Sequence, residues 1–358
     1  MRQKLPDFPW DALAPYGAIA KKHPQGAIDL SVGTPVDPTP EFIQKAFQAA
    51  SNSPSYPVTV GTPELREAIT AWAKKYLGAS GDFGVLPLIG SKEFVAWLPT
   101  FIEAQSVLYP DVAYPTYLVG SLLAQATATP VALNAADWPQ ADMAWVNSPS
   151  NPTGRVHSES EFKAAIDWSR RNKSVVVSDE CYLEFGDSVK PTSILNYTGG
   201  DNTNILAVHS LSKRSSMAGY RAAFIVGDPA LIARILEVRK HAGMMVPLPV
   251  QVAMIAALSD EDHVEQQRAR YNSRRATLAP ALQAAGFTIE NSEAGLYIWA
   301  TRHEDCWDSV SWLAELGIIA TPGVFYGDLG ATHIRIAMTA TDAQITEAAA
   351  RITSKVGA

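Results

Sequence analysis

The sequence is poor in cysteine, in basic charge and in long apolar runs. Its two cysteines, Cys181 and Cys306, lie far apart and form no CxxC pair, so we expect a reducing compartment, no disulfide framework and no metal site. Acidic side chains outnumber basic ones by 36 to 29, for a net charge of −7. That balance lacks the basic footprint of proteins that bind nucleic acids or anionic membranes. Because the chain also lacks an apolar run of about 18 residues and an N-terminal signal segment, we expect a cytoplasmic protein without nucleic-acid or membrane partners.

The chain has enough apolar residues for more than one core. It contains 358 residues, of which 47% are hydrophobic, so one large and one smaller domain are expected. Between residues 85 and 227, short apolar runs alternate with helical stretches, which is typical of a mostly parallel α/β sheet. We predict an arm at 1–40 that joins the small domain, a large domain at 41–245 and a small domain at 246–358. The predicted strands of the large domain are 85–89, 106–109, 143–146, 174–178, 205–208 and 222–226.

Two helix starts are predicted from Thr-Pro pairs. Thr39 and Thr62 each precede a proline, and a threonine N-cap followed by proline at the first helical position is a common start. In a parallel sheet, ligands bind beyond the carboxyl ends of the strands. The residues that follow each predicted strand are therefore the candidate site.

The segment after strand 205–208 places a lysine among hydroxyl groups and an arginine, in the stretch SLSKRSSMAGYR at 210–221. Lys213 lies in a turn of small residues after a buried strand, where an amine that is partly deprotonated can form a Schiff base. Ser210, Ser212 and Arg221 supply donors that suit a phosphate. A basic surface loop is the alternative, but the spacing of the whole stretch favours a Schiff-base motif.

Asp179 and Tyr182 follow strand 174–178. A carboxylate at this place can keep the pyridine nitrogen of a pyridoxal cofactor protonated, and the tyrosine can bond the ring oxygen. The alternatives are an N-cap role for Asp179 and core packing for Tyr182. Together with Lys213, both residues favour the cofactor interpretation.

Three further strand ends carry candidate cofactor ligands. Asn151 lies in NSPSNPTG at 147–154, a rigid turn whose X-Pro bonds can be cis, and its amide can bond the ring oxygen. Ser91 and Lys92 open a helix whose N-terminus can bind phosphate. Tyr114 can stack on the pyridine ring. Each of these residues alone would also suit an ordinary loop.

Near the C-terminus, Arg335 alternates with Ile334 and Ile336. An arginine on this strand can hold a carboxylate with two hydrogen bonds. An exposed strand arginine is the alternative.

Taken in order, these segments resemble the fold-type I, class I/II aminotransferases. The matching segments are SVGTP at 31–35, YPVTVGTPELREAI at 56–69, NPTG at 151–154, SDECY at 178–182, SKRSSMAGYR at 212–221 and IRIA at 334–337. The resemblance implies a pyridoxal 5′-phosphate-dependent transferase fold, in which a mostly parallel seven-stranded sheet is flanked by helices and joined to a smaller α/β domain.

The same resemblance implies a role for each matching residue. Lys213 carries the cofactor, Asp179 pairs with its pyridinium, and Arg335 binds the substrate α-carboxylate opposite a backbone contact at Gly33. Tyr56 reaches the phosphate of the neighbouring subunit, which implies a homodimer with shared active sites. The remaining ligands are Asn151 and Tyr182 at the ring oxygen, Tyr114 on the ring face, and Ser91, Lys92, Ser210 and Arg221 at the phosphate, beside Ser212.

A closer resemblance is to the actinobacterial type of N-succinyldiaminopimelate aminotransferases. It is carried by LPDFPWDALAP at 5–15, GSKEFVAWLPT at 90–100, RKHAGMMVPLPVQ at 239–251 and SEAGLYIWAT at 292–301. It implies transamination between N-succinyl-LL-2,6-diaminopimelate and 2-oxoglutarate, with glutamate as the other amino acid, in lysine and diaminopimelate biosynthesis. Lys92, Arg155 and His241 are candidates for binding the succinyl group.

Other functions remain open on the same fold. An aspartate, aromatic or alanine aminotransferase and a C–S β-lyase would all keep Lys213, Asp179 and Arg335. A regulator that senses an effector with this fold is an alternative outside the enzymes. Such a regulator needs a helix-turn-helix domain and a basic face, and the acidic sequence favours neither.

Overall fold

The computed structural model describes residues 4–356, which form thirteen strands and twelve α-helices joined by short 3-10 turns. The strands are β1 (Ile28–Asp29), β2 (Gly84–Ile89), β3 (Ser106–Pro110), β4 (Thr127–Val131), β5 (Met143–Asn147), β6 (Val175–Asp179), β7 (Ile205–Ser210), β8 (Ala222–Gly227), β9 (Thr288–Glu290), β10 (Tyr297–Thr301), β11 (Ile318–Ile319), β12 (Thr321–Pro322) and β13 (His333–Ala337). The helices are α1 (Ala14–Ala20), α2 (Glu41–Ala49), α3 (Pro63–Tyr76), α4 (Ser91–Phe101), α5 (Thr116–Leu123), α6 (Glu159–Asn172), α7 (Leu211–Arg214), α8 (Pro229–Ala242), α9 (Leu248–Leu258), α10 (Asp262–Ala284), α11 (Cys306–Glu315) and α12 (Asp342–Val356).

The predicted mostly parallel sheet is confirmed, and it has seven strands in the order β2-β8-β7-β6-β5-β3-β4. Its neighbouring strands are parallel except for β2 with β8 and β8 with β7. In the register, Asn147 lies beside Asp179, and Asp179 lies beside Val208. The carboxyl ends of β5, β6 and β7 therefore meet at one edge of the sheet, where the sequence predicted the site.

The sequence did not predict β4, although all six predicted strands are present. This strand carries Pro130, pairs only with β3 and closes the sheet at one side. Proline removes a hydrogen-bond donor and is tolerated on an edge strand. The missing apolar run follows from the same position, because an edge strand is only partly covered.

Helices cover both faces of the seven-stranded sheet. On one face, α2, α3, α6 and α9 bury Ile43, Leu65, Phe162 and Val250 in one core. On the other face, α4, α5 and α8 bury Phe94, Tyr117 and Leu231 in another. A parallel sheet that is buried on both sides needs strands without polar alternation, which is the pattern of VVV in β6.

The two predicted helix starts differ in outcome. Thr62 does cap α3, because its hydroxyl accepts a hydrogen bond from the Leu65 amide at 3.2 Å. The prediction for Thr39 was wrong: α2 begins at Glu41 after Pro40, without a side-chain cap. The Thr39 hydroxyl instead donates to the carbonyl oxygen of Ser216 at 2.7 Å, so a tertiary contact near α7 replaces the local one.

A third core surrounds the antiparallel sheet β12-β13-β10-β9. It combines Leu13, Ile28 and Leu30 of the arm with apolar residues of α10, α11 and α12, and β1 pairs in parallel with β11.

Helix α9 packs on α2 and α3 in the first core, so the packing favours a domain boundary between α9 and α10 over the predicted one at residue 246. The three-part division of the chain otherwise stays a prediction. In residues 4–356, no helix combines the length and apolarity needed to span a bilayer.

Candidate active site

Lys213 lies on α7, the single helical turn that follows β7. The Ser210 hydroxyl caps this turn by accepting from the Ser212 amide at 3.1 Å. The Lys213 ammonium donates to the carbonyl oxygen of Gly33, in the arm. Burial, together with the positive charge of Arg335, lowers the pKa of Lys213 to about 8. A lysine with this pKa keeps a substantial neutral fraction near neutral pH, which is the state that attacks a carbonyl or accepts a proton.

Asp179 ends β6 and is buried. The Tyr117 hydroxyl donates to its Oδ2 at 2.9 Å, and the Cys181 amide donates to Oδ1 at 3.3 Å. A turn follows instead of a helix, so the N-cap alternative is wrong. Burial raises the pKa of this carboxyl group, and a nearby cation would favour its ionised form. A protonated pyridine nitrogen is such a cation, so the environment of Asp179 fits the cofactor that the sequence predicts.

Sequence reasoning missed the role of Tyr117. Its ring stacks on Trp145 of β5 at 5.0 Å between centroids, and this packing directs its hydroxyl to Asp179. The two residues are 62 positions apart. No local pattern marks their contact, because it depends on how α5 packs against the face of the sheet.

Arg335 lies inside the molecule on β13, with only 2% of its surface exposed, so the exposed-strand alternative is wrong. Its Nη1 donates to Asn151 Oδ1 at 2.9 Å, and its Nη2 donates to the Ser31 carbonyl oxygen at 2.5 Å. Within residues 4–356, its Nε is buried without a hydrogen-bond partner. A guanidinium with a free donor and a replaceable amide partner suits a carboxylate ligand.

Asn151 is held in place through its backbone amide. Its amide donates to Asn147 Oδ1 at 2.7 Å, and the Asn147 side chain donates to the Asp179 carbonyl oxygen at 2.9 Å. The Ser148-Pro149 and Asn151-Pro152 bonds are both cis. The turn after β5 is thus tied to the end of β6.

Tyr297 of β10 contacts both Tyr182 and Arg335, and sequence reasoning did not single it out. Its hydroxyl lies 3.1 Å from that of Tyr182, and its ring lies 4.1 Å below the Arg335 guanidinium. A Cβ atom at Gly33 would come within 2.2 Å of the Tyr297 hydroxyl. Glycine at 33 is therefore required for this approach.

A cradle for an anion lies at the start of α4. Gly90 precedes Ser91 with a φ of 78°, and a Cβ atom there would come within 2.1 Å of the Arg221 guanidinium. Arg221 is fixed by a bond from Nη1 to the Ala218 carbonyl oxygen at 2.8 Å. Backbone amides at a helix N-terminus together with an arginine fit a phosphate group.

Three other predicted ligands, Lys92, Tyr114 and Tyr56, have different surroundings in the single chain. The Lys92 ammonium lies 5.6 Å above the Phe8 ring. Tyr114 packs edge-on against Tyr117 at 6.0 Å, and burial raises its pKa to about 12. Tyr56 has 92% of its surface exposed, so in the single chain it lies apart from the buried cluster.

The structure gives the surroundings of two candidates for the succinyl group. Arg155 pairs with Glu161 at 2.5 Å, and His241 is exposed in the last turn of α8. Among residues 4–356, no group of three or more His, Cys, Asp or Glu side chains is placed to hold a metal ion.

A family model for aminotransferase class I and II matches residues 25–352. The chain belongs to this family. Like the other fold-type I members, this aminotransferase depends on pyridoxal phosphate, and the buried carboxyl of Asp179, the Lys213 amine and the Gly90–Arg221 cradle fit that cofactor.

Known members of the family differ in the substrates that their names give. The 4-dedimethylamino-4-oxo-anhydrotetracycline transaminase OxyQ of Streptomyces rimosus is 50% identical, over 98% of this chain and 100% of that protein. An LL-diaminopimelate aminotransferase of Dehalococcoides mccartyi is 35% identical, over 93% of each chain. The solved structure of a probable N-succinyldiaminopimelate aminotransferase from Thermus thermophilus superposes with a TM-score of 0.85 at 25% identity, over 97% of this chain and 100% of the other.

Proposed function

We propose that this aminotransferase transfers the amino group between N-succinyl-LL-2,6-diaminopimelate and 2-oxoglutarate, with glutamate as the second amino acid. Transamination is supported above all by one observation. Lys213, whose pKa is lowered, and the buried Arg335 lie in the same site. The succinylated substrate is supported by the segments at 5–15, 90–100, 239–251 and 292–301 and by the similarity to the probable N-succinyldiaminopimelate aminotransferase of Thermus thermophilus.

We propose that the residues at the strand ends hold the cofactor. When bound, pyridoxal phosphate supplies a carbonyl for the amino group and a ring that withdraws electrons from Cα. Asp179 keeps a proton on the pyridine nitrogen, and Tyr182 and Asn151 donate to the ring oxygen. Tyr114 covers one ring face. The phosphate ligands are Ser91, Lys92, Ser210, Ser212 and Arg221.

The substrate is held by the opposite side of the site. Arg335 binds the α-carboxylate through two parallel hydrogen bonds, with the Asn151 amide beside it and the Gly33 backbone opposite. This grip fixes the Cα–H bond close to Lys213. The neutral amine of Lys213 takes the proton from Cα and returns it to C4′ of the cofactor, which is general base and then general acid catalysis by one group.

A homodimer belongs to the same proposal. Tyr56, which is almost fully exposed in the single chain, reaches the phosphate of a neighbouring subunit, so that each site is completed by its partner. The acidic, cysteine-poor chain is proposed to work in the cytoplasm.

A direct assay of amino donors tests the substrate. The purified enzyme is given 2-oxoglutarate with N-succinyl-LL-diaminopimelate, LL-diaminopimelate, aspartate or phenylalanine, and glutamate formation is followed. We expect the highest kcat/KM with the succinylated donor. The 35% identical LL-diaminopimelate aminotransferase makes the free diamine the second candidate. A preference for any other donor contradicts the proposed substrate, and release of ammonia from a cysteine conjugate would indicate a C–S β-lyase.

A further inference from the structure

A buried ion pair lies beside the proposed phosphate cradle. Arg239, in the last turn of α8, donates from Nη1 to both carboxylate oxygens of Glu93 at 3.0 Å and from Nη2 to the Met244 carbonyl oxygen at 3.3 Å. The Arg239 side chain is fully buried, and that of Glu93 is 20% exposed. Glu93 belongs to the first turn of α4, three residues after Gly90.

The position of Glu93 creates a conflict with phosphate. The N-terminus of a helix attracts one negative group through its free amides and its dipole, and Glu93 and a phosphate would both be drawn to it. Burial raises the pKa of Glu93, and the positive charges of Arg239 and, to a smaller extent, Arg221 act in the opposite direction. Arg221 therefore lies close enough to Glu93 for their charges to interact. An unpaired Glu93 would thus repel the phosphate and compete with it for Arg221.

We propose that Arg239 is a positioning residue for the cofactor phosphate. By binding both oxygens of Glu93, it neutralises the carboxylate at the start of α4 and leaves the backbone amides and Arg221 free for the phosphate. The pair acts through charge and touches neither the ring nor the substrate. This inference rests on the proposed phosphate cradle and is independent of the proposed substrate.

The affinity of the apoenzyme for two cofactor forms tests this role. Pyridoxal phosphate and pyridoxal, which lacks the phosphate, are titrated at pH 8 and followed by absorbance. For R239Q, we expect the dissociation constant of pyridoxal phosphate to rise about tenfold or more, because an unpaired charge then acts across a poorly screened site. The constant for pyridoxal should stay unchanged. E93Q should bind pyridoxal phosphate at least as tightly as the wild type, and E93Q/R239Q should return close to the wild-type value.

R239Q and E93Q should change the affinity for pyridoxal phosphate in opposite directions. The two variants therefore distinguish an electrostatic role of the ion pair from a structural one. A purely structural pair would make E93Q weaken binding as R239Q does, or would make R239Q weaken pyridoxal equally, and either result overturns the proposal. If R239Q does not fold, E93Q and the double variant still decide, since weaker phosphate binding in either contradicts it. In R221Q the preference for pyridoxal phosphate over pyridoxal should fall. An unchanged preference would refute the proposed phosphate cradle itself. The substrate proposal is tested separately, by the assay of amino donors.

Discussion

The two sides of the active site are built in different ways. Much of the proposed cofactor side comes from the ends of neighbouring strands β5, β6 and β7, where a strand end or the few residues after it supply Asn151, Asp179, Tyr182 and Lys213. The proposed substrate side joins segments that are distant in sequence. Arg335 on β13 donates to Ser31, 304 positions away. Gly33 of the same arm accepts from Lys213 of the cofactor side, 180 positions away. Backbone register at the edge of the sheet brings the elements of the first side together. The second side depends on how the arm and the antiparallel sheet pack together. Changes in this packing can therefore alter which substrate is bound while the reaction stays the same.

The largest expected effect comes from removing the lysine on the cofactor side. In K213A, turnover should fall by about 10⁴-fold or more, because both the covalent attachment and the proton transfer are lost. The visible absorbance of the bound cofactor should shift to that of the free aldehyde, and circular dichroism should stay native. K240A, which removes an exposed lysine of α8, is the control; retained turnover in K213A would remove the proposed mechanism.

A change on the substrate side should separate the two halves of the site. In R335K, kcat/KM for the amino donor should fall by about 100-fold, because an ammonium cannot reproduce the planar two-bond grip on a carboxylate. The absorbance of the bound cofactor should be unchanged. R268K on the exposed side of α10 is the matched control. Equal losses of cofactor affinity and of kcat/KM in R335K would show that the two sides are not independent.

The lowered pKa of Lys213 predicts how cofactor attachment depends on pH. Only the neutral amine attacks the aldehyde, and a pKa of about 8 makes half of it neutral at about pH 8. The rate at which apoenzyme attaches pyridoxal phosphate should rise about 50-fold between pH 6 and pH 8 and level off above pH 9. Rapid-mixing absorbance measures this rate. A rate that still rises at pH 10 would mean that the site does not lower the lysine pKa.

The smallest effect is expected at Tyr117, behind the cofactor. Its hydroxyl donates to Asp179, and that bond lowers the pKa of the carboxyl group while burial raises it. Y117F should therefore raise the Asp179 pKa and loosen its hold on the pyridine proton, with about a tenfold loss in kcat. The pH dependence of the cofactor spectrum should shift with it, whereas Y76F at an exposed tyrosine should change neither. An unchanged spectrum in Y117F would show that Tyr117 contributes packing and does not affect the Asp179 pKa.

The sequence predicted the cofactor side more fully than the substrate side. Six strands of the large sheet were predicted because their apolar runs reflect burial on both faces, and the candidates Lys213, Asp179 and Asn151 followed from their positions after those runs. Tyr117 and Tyr297 were not predicted, since their contacts depend on packing between distant elements. Thr39 was wrongly predicted to cap α2, because that helix begins one residue later, after Pro40, and the Thr39 hydroxyl donates to the distant Ser216 carbonyl oxygen.

The bonds to the arm also limit how this chain can be shortened. The carbonyl oxygens of Ser31 and Gly33 accept from Arg335 and Lys213. A shortened chain that begins after residue 33 would keep its whole large sheet and could still fold around it. It would nevertheless release the arginine and the lysine together. The same cut would remove Leu13, Ile28 and Leu30 from the third core, so activity and the stability of that core would be lost together.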